Sequence, residues 1–241
     1  MDQSIPESVS PPSNVLLVHR SSTTADACQT LCHHEKGSQT AALRVTFSSD
    51  TLENSPHGTA NPTKIGAISV GDVLRGATTA RSTGGTHGEP DFTGDVVFDA
   101  ITDPTDLSAI GVSVSRFCEQ WGSEYQLTVC FQSLDALLNH APPKTVFQFI
   151  HVLTNRLSSV DALAHFHLDP GAHEDRIVST FGSIFDEVVV DDSVHSDVPQ
   201  ATDEDIAALL GEWDDPTEWA TIEPTVGQEA TDDDVARLFE E

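Results

Sequence analysis

The sequence contains few basic residues. Its 241 residues include 39 Asp and Glu against 11 Lys and Arg, a formal net charge of -28, and its only lysines are at positions 36, 64 and 144. Such a surface repels nucleic acid phosphates and anionic membranes over most of its area, so we expect no nucleic acid partner. Acidic side chains also keep a folded protein hydrated in concentrated salt. We therefore interpret the charge as halophilic adaptation rather than as the mark of an acidic partner-binding or disordered protein.

Long hydrophobic runs are also absent. No apolar stretch approaches the roughly 20 residues that span a bilayer, and the first residues are acidic and polar, unlike a secretory signal. The four cysteines, at positions 28, 32, 118 and 130, show no CxxC spacing, which favours reduced core thiols over a disulfide framework. We expect a cytoplasmic protein without membrane contact.

Apolar strands and amphipathic helices alternate between residues 14 and 190. Strands are predicted at 15–18, 41–47, 65–70, 95–101, 125–131, 162–166 and 184–190. Helices are predicted at about 23–34, at 134–138 and at 175–181. Two more are predicted by their starts, one with Asp103 as cap and Pro104 in its first turn, and one directly after Pro142-Pro143. This alternation predicts a parallel sheet with helices on its faces. Residues 1–13 are expected to be a disordered leader, and the Gly/Thr-rich stretch between Gly71 and Gly94 a mobile loop.

Residues 191–241 form a strongly acidic tail, with 17 acids and one base. A short repeat occurs twice, at 201–212 and 230–241, and each copy has the capping residues, first-turn acids and small apolar face of a short helix. The expected partner-binding residues are Ile206, Leu209, Leu210, Trp213, Val235, Leu238 and Phe239. Helices this short are marginal alone in water, so each is expected to pack on its own domain or on a protein partner.

The loop after the first strand, residues 19–26, contains no glycine and no lysine. A phosphate-binding loop needs small residues, which let backbone N–H groups approach phosphates, and a lysine charge. The first strand, residues 14–18, together with 125–138, 147–154 and 164–170, nevertheless resembles RecA/KaiC-like domains, and more closely a haloarchaeal branch of that group that lacks the nucleotide-binding motifs. The resemblance covers about residues 14–190. It implies an α/β fold with a mostly parallel sheet and helices on both faces, followed by the acidic tail with two short helices.

The resemblance also implies that ATP chemistry has been lost. The family's magnesium-binding aspartate matches Gln132, a neutral amide that is a poor ligand for a hard cation. The family's water-activating acids have only Asp50 as a displaced counterpart. Because phosphoryl transfer depends on positioning and neutralising the phosphates, we expect no catalytic residues and no cofactor. The residues that could still bind an anion or a nucleotide are Ser21, Ser22, Thr23, Thr24 and Gln132.

A metal site is a second hypothesis. His165, His167 and Asp169 alternate along a predicted strand and its end, so their side chains share one face. These residue types bind divalent metals, and open α/β sheets bind ligands at the carboxyl ends of their strands. The three residues are therefore the candidate metal ligands, with His173 nearby. The alternative is that they bond to neighbouring backbone or carboxylates.

Three functions follow in order of preference. The first is a non-catalytic RecA/KaiC-like regulatory or signalling interaction protein, whose tail binds a protein partner or the protein itself. The second is an atypical nucleotide-binding protein or weak ATPase that uses residues 21–24, Asp50 and the two strand-end histidines. A transcription regulator is a further alternative, but the sequence has no basic recognition helix.

Overall fold

Seven parallel strands form one sheet. The computed structural model of the chain describes residues 9–20, 30–31, 39–47, 62–71, 90–190 and 201–212. The strands are β1 (Ser13–Val18), β2 (Thr40–Thr46), β3 (Lys64–Val70), β4 (Val96–Ile101), β5 (Gln126–Phe131), β6 (Leu163–Leu168) and β7 (Glu187–Val190). Their order across the sheet is β4-β3-β2-β5-β6-β1-β7, and every neighbouring pair is parallel. The predicted α/β class is confirmed, and the topology is consistent with a RecA-like fold.

The strand order determines which loops meet. β6 lies between β1 and β5, so the carboxyl ends of these three strands are adjacent although they are far apart in the sequence. In open α/β sheets this edge is where ligands bind.

Five α-helices are described from end to end. They are α1 (Leu107–Trp121), α2 (Leu134–His140), α3 (Pro143–Ser158), α4 (Asp175–Gly182) and α5 (Asp203–Glu212), and a 3₁₀ turn occupies Pro170–Ala172. α5 corresponds to the first of the two predicted tail helices, and it contacts α4. None of the described helices is both long and apolar enough to cross a membrane.

The main hydrophobic core lies between one face of the sheet and helices α1 to α4. The spacing of apolar residues on α1 brings Phe117 and Trp121 against the sheet, with ring centroids 4.9 Å apart. Gly66 of β3 makes this packing possible, because a Cβ there would lie 2.6 Å from Phe117 Cε1 and 2.9 Å from Leu43 Cδ1.

A smaller apolar cluster covers part of the opposite face. It consists of Val15, Leu17, Leu31 and Cys130, and Val9, Leu163 and Val189 pack against it. Leu31 belongs to the predicted helix at 23–34, of which residues 30 and 31 are described and helical. Helical chain therefore contacts both faces of the sheet. Val9, from the segment expected to be a loose leader, is among the partly buried residues.

Several element boundaries differ from those predicted by one to three residues. α1 begins at Leu107 because Asp106, not Asp103, caps it by accepting a hydrogen bond from the Ala109 N–H. The Asp103 carboxylate instead accepts hydrogen bonds from the Thr105 N–H and hydroxyl, which forms a separate turn.

Two further differences are in the last strands. β6 continues to Leu168, two residues beyond its predicted end. β7 is limited to 187–190, because residues 184 and 185 make turn hydrogen bonds to the end of α4.

Candidate functional site

Two histidines and a cysteine meet near the carboxyl ends of β5 and β6. Each of Cys130, His165 and His167 offers one ligand atom, and these atoms all lie within 4.8 Å of one another. The side chains are buried, with exposed fractions of 6%, 0% and 9% respectively. We call these three residues the His/Cys cluster.

Strand alternation explains the cluster. On β5 the side chains of Val129 and Phe131 enter the main core, so Cys130 points to the opposite face. On β6 the intervening Phe166 enters the main core, so His165 and His167 face the same way as Cys130. The register places Cys130 directly opposite His165 on the neighbouring strand.

His19 joins the cluster from β1. It follows the last residue of that strand, and β1 pairs with β6 so that Leu17 lies opposite His167. His19 Nε2 lies 2.7 Å from His167 Nδ1, and the two rings meet edge to face. His19 is 8% exposed, so this contact is also buried.

The hydrogen bonds determine where the imidazole protons reside. The carbonyl oxygen of Arg20 only accepts, so His19 Nδ1, 2.9 Å away, carries a proton. In the neutral imidazole this leaves His19 Nε2 as an acceptor, and His167 Nδ1 therefore donates to it. His167 Nε2 is then an acceptor, and its partner is the Cys130 thiol, whose Sγ lies 3.7 Å away.

The surroundings favour the neutral form of His167. Burial lowers its pKa well below the ordinary value, and the charges of His165, His19 and Arg44 lower it further. Arg44 is half-buried on β2, opposite Cys130 in the register. At neutral pH His167 is thus an uncharged imidazole, the form in which histidine binds metals.

The chemistry available to the His/Cys cluster depends on access. A cysteine and histidine in contact resemble a nucleophile with its base, but a catalytic thiol must reach substrate, and Cys130 is 6% exposed. Burial is compatible with binding an ion, and thiolate sulfur and imidazole nitrogen are both typical ligands of zinc. The geometry therefore favours ion binding over nucleophilic catalysis.

The candidate ligand Asp169 lies apart from the His/Cys cluster. Its Oδ1 accepts a hydrogen bond from the Gly171 N–H at 2.9 Å and caps the 3₁₀ turn. His173 also has another partner, because its Nε2 lies 2.8 Å from Asp135 Oδ1. The Asp135 carboxylate in turn accepts from the Asp169 N–H, so these residues form a separate network beside the cluster.

The candidate nucleotide-binding residues are only partly described. Gln132 directly follows β5, and its N–H donates to the Val45 carbonyl, which extends the pairing with β2. Residues 21–24, Asp50, Cys28 and Cys32 lie outside the described residues. Cys118 and Cys130 are described, and both are buried and not joined in a disulfide, as expected of reduced core thiols.

The candidate partner-binding residues are also only partly described. Ile206 is half-buried on α5, next to α4. The side chains of Leu209 and Leu210 fall outside the described part, as do Trp213, Val235, Leu238 and Phe239 and the whole second tail helix. The helix start is as predicted, because Thr202 and Asp205 form a capping box.

Sequence reasoning missed Cys130 and His19 as members of the site. In both cases the sequence places the residue at the end of an apolar strand. Cys130 lies two residues before Gln132, which follows the fifth strand, and His19 directly follows the first strand. Parallel strands end at the same edge, so polar residues at several strand ends are candidates to meet there. Which of them meet depends on the strand order.

The fold and the site define a class of parallel α/β protein with a buried His/Cys cluster at the carboxyl edge of its sheet. The chain belongs to a family of unknown function, DUF7504, whose model matches residues 12–191, about three quarters of the chain. No curated protein and no solved structure matches the chain.

Proposed function

We propose that this chain is a non-catalytic RecA/KaiC-like regulatory or signalling interaction protein that works in a salt-rich cytoplasm. Its sheet serves as a scaffold for protein contacts rather than as a site for ATP hydrolysis.

The observation that carries this proposal is Gln132 at the end of β5. By the resemblance, an ATPase of this kind has its magnesium-binding acid there, and an amide supplies no charge for the cation. The described acids nearby have structural hydrogen bonds instead: Asp135 accepts from the Asp169 N–H and lies against His173, and Asp169 caps the following turn. Phosphoryl transfer without this charge neutralisation is disfavoured.

An exposed apolar patch supports the interaction role. β4 is one of the two edge strands of the described sheet. Its Val96 and Phe98 side chains are 50% and 57% exposed and lie on the same face. Exposed apolar side chains of this size are common where proteins dock. We call Val96 and Phe98 the β4 patch.

An ATPase assay tests the non-catalytic part. Full-length protein in high salt is incubated with labelled ATP and magnesium beside a Gln132→Ala variant, and phosphate release is measured. We expect both proteins to remain at background. Magnesium-dependent turnover that falls in the variant would contradict the proposal, because only a site at this strand end responds to that change.

Capture from a high-salt lysate tests the interaction part. The baits are the full chain, a chain without residues 191–241, Phe98→Asp in the β4 patch, and the matched control Gln120→Asp on the exposed side of α1. We expect the full chain and the Gln120→Asp bait to capture a partner protein. The Phe98→Asp bait or the shortened chain should fail to capture that partner. Identical capture by all four baits would count against both surfaces.

A further inference from the structure

We propose that Cys130, His165 and His167 bind one transition-metal ion of the zinc class, and that His19 orients His167 toward that ion. The three ligands come from β5 and β6, and the positioning residue comes from the end of β1.

The distances suit a single ion. Zinc holds thiolate sulfur at about 2.3 Å and imidazole nitrogen at about 2.0 Å, so two such ligands of a tetrahedral ion lie about 3.4 to 3.6 Å apart. Cys130 Sγ and His167 Nε2 are 3.7 Å apart. The ligand atoms of all three residues lie within 4.8 Å of one another, so side-chain adjustment alone can bring them around one ion.

The hydrogen-bond chain prepares His167 for this role. A metal-binding histidine usually donates its second ring N–H to a protein acceptor, which selects the tautomer and holds the ring in place. Here His167 Nδ1 donates to His19 Nε2, and His19 Nδ1 donates to the Arg20 carbonyl. The lone pair of His167 Nε2 is thereby directed toward Cys130 without any change in protonation.

The donor atoms select the class of metal. Sulfur and imidazole nitrogen favour zinc and its neighbours in the transition series, whereas magnesium and calcium prefer oxygen. Cys130 ligates as a thiolate, so its proton is released to the solvent when the metal binds. Three protein donors leave the fourth tetrahedral position to water or to an anion from the solvent.

X-ray absorption on the zinc-loaded wild type is the first test. Full-length protein is reduced, stripped with a chelator, loaded with zinc in high salt and freed of excess metal. We expect one ion per chain with one sulfur and two imidazole ligands. An ion without a sulfur ligand, or no ion retained, would overturn the proposal. This experiment uses only the wild-type protein, so its result does not depend on whether a variant folds.

Cobalt provides the second test, because a cobalt–thiolate bond absorbs in the near ultraviolet. Two variants each remove one buried thiol. Cys130→Ala removes it from the His/Cys cluster, and Cys118→Ala removes it from the main hydrophobic core on the other face of the sheet. We expect the thiolate absorption in the wild type and in Cys118→Ala and its loss in Cys130→Ala. Absorption that survives in Cys130→Ala, or that only Cys118→Ala abolishes, would contradict the assignment.

Discussion

His19 Nε2 lies 2.7 Å from His167 Nδ1, although the two residues are separated by 148 positions in the sequence. The contact exists because β1 and β6 are neighbours in the sheet and end at the same edge. It connects the exit of the first strand to the His/Cys cluster. A change at His19 therefore reaches the cluster through a single hydrogen bond.

Replacing His19 tests this connection. His19→Phe keeps a ring but removes the acceptor for His167 Nδ1, and we expect zinc affinity to fall by roughly 10- to 100-fold, the usual cost of losing such a partner. His19→Gln retains an acceptor oxygen and should recover part of the affinity. Competition with a chelating dye measures both variants. Equal affinity in the wild type and His19→Phe would show that His19 does not position the ligand.

Asp169→Ala should leave the metal site unchanged. Asp169 caps the turn after β6 and lies outside the His/Cys cluster, so we expect the cobalt spectrum of the wild type together with a loss of stability of about 1 kcal/mol. Absorption spectroscopy and chemical denaturation at constant salt measure the two effects. A changed cobalt spectrum would mean that Asp169 is a ligand.

Gly66→Ala should destabilise the fold. The added methyl group would overlap Phe117, Leu43 and Trp121, whose nearest atoms would be 2.6 to 2.9 Å away. Overpacking of this kind costs about 1–3 kcal/mol of the free energy of unfolding. The matched control is Gly211→Ala on α5, where no atom lies within 4 Å of the new Cβ. If denaturation curves show both variants to be as stable as the wild type, α1 must be able to move away from β3 with little loss of free energy of unfolding.

Thr202→Ala should raise the pKa of Asp205. The Thr202 hydroxyl and N–H donate to the Asp205 carboxylate and lower its pKa, and Arg176 contributes a smaller effect in the same direction. The capping box therefore stabilises α5 fully above the ordinary carboxyl pKa, and this contribution is lost as the pH falls through the lower folded-state pKa. NMR titration of the side-chain carboxyls measures the shift. The pKa of Asp91, which Thr93 lowers in the same way, should not change and is the control.

The strands were the most predictable part of the fold. A strand covered on both faces is a continuous apolar run, so β1 and β5 were recognised without knowledge of their neighbours. Boundaries were less predictable where two residues compete for one role. Asp103 and Asp106 both precede α1, and only the hydrogen bonds of Thr105 and Ala109 decide which of them caps it.

The candidate site was less predictable because it depends on strand order. The pair His165 and His167 was visible from local alternation alone. Cys130 and His19 belong to other strands, and only the placement of β6 between β5 and β1 brings all four side chains together. Sequence spacing also suggested Asp169, but its carboxylate forms a local hydrogen bond with Gly171.

Among the described residues, the two faces of the sheet differ in how much packing they carry. Helices α1 to α4 and most of the large buried side chains lie on one side, and Cys130 and its histidine neighbours lie on the other. Substitutions on the second side leave the main hydrophobic core untouched. Related chains could therefore exchange these few side chains, and with them the ion or ligand that they recognise, while inheriting the same scaffold.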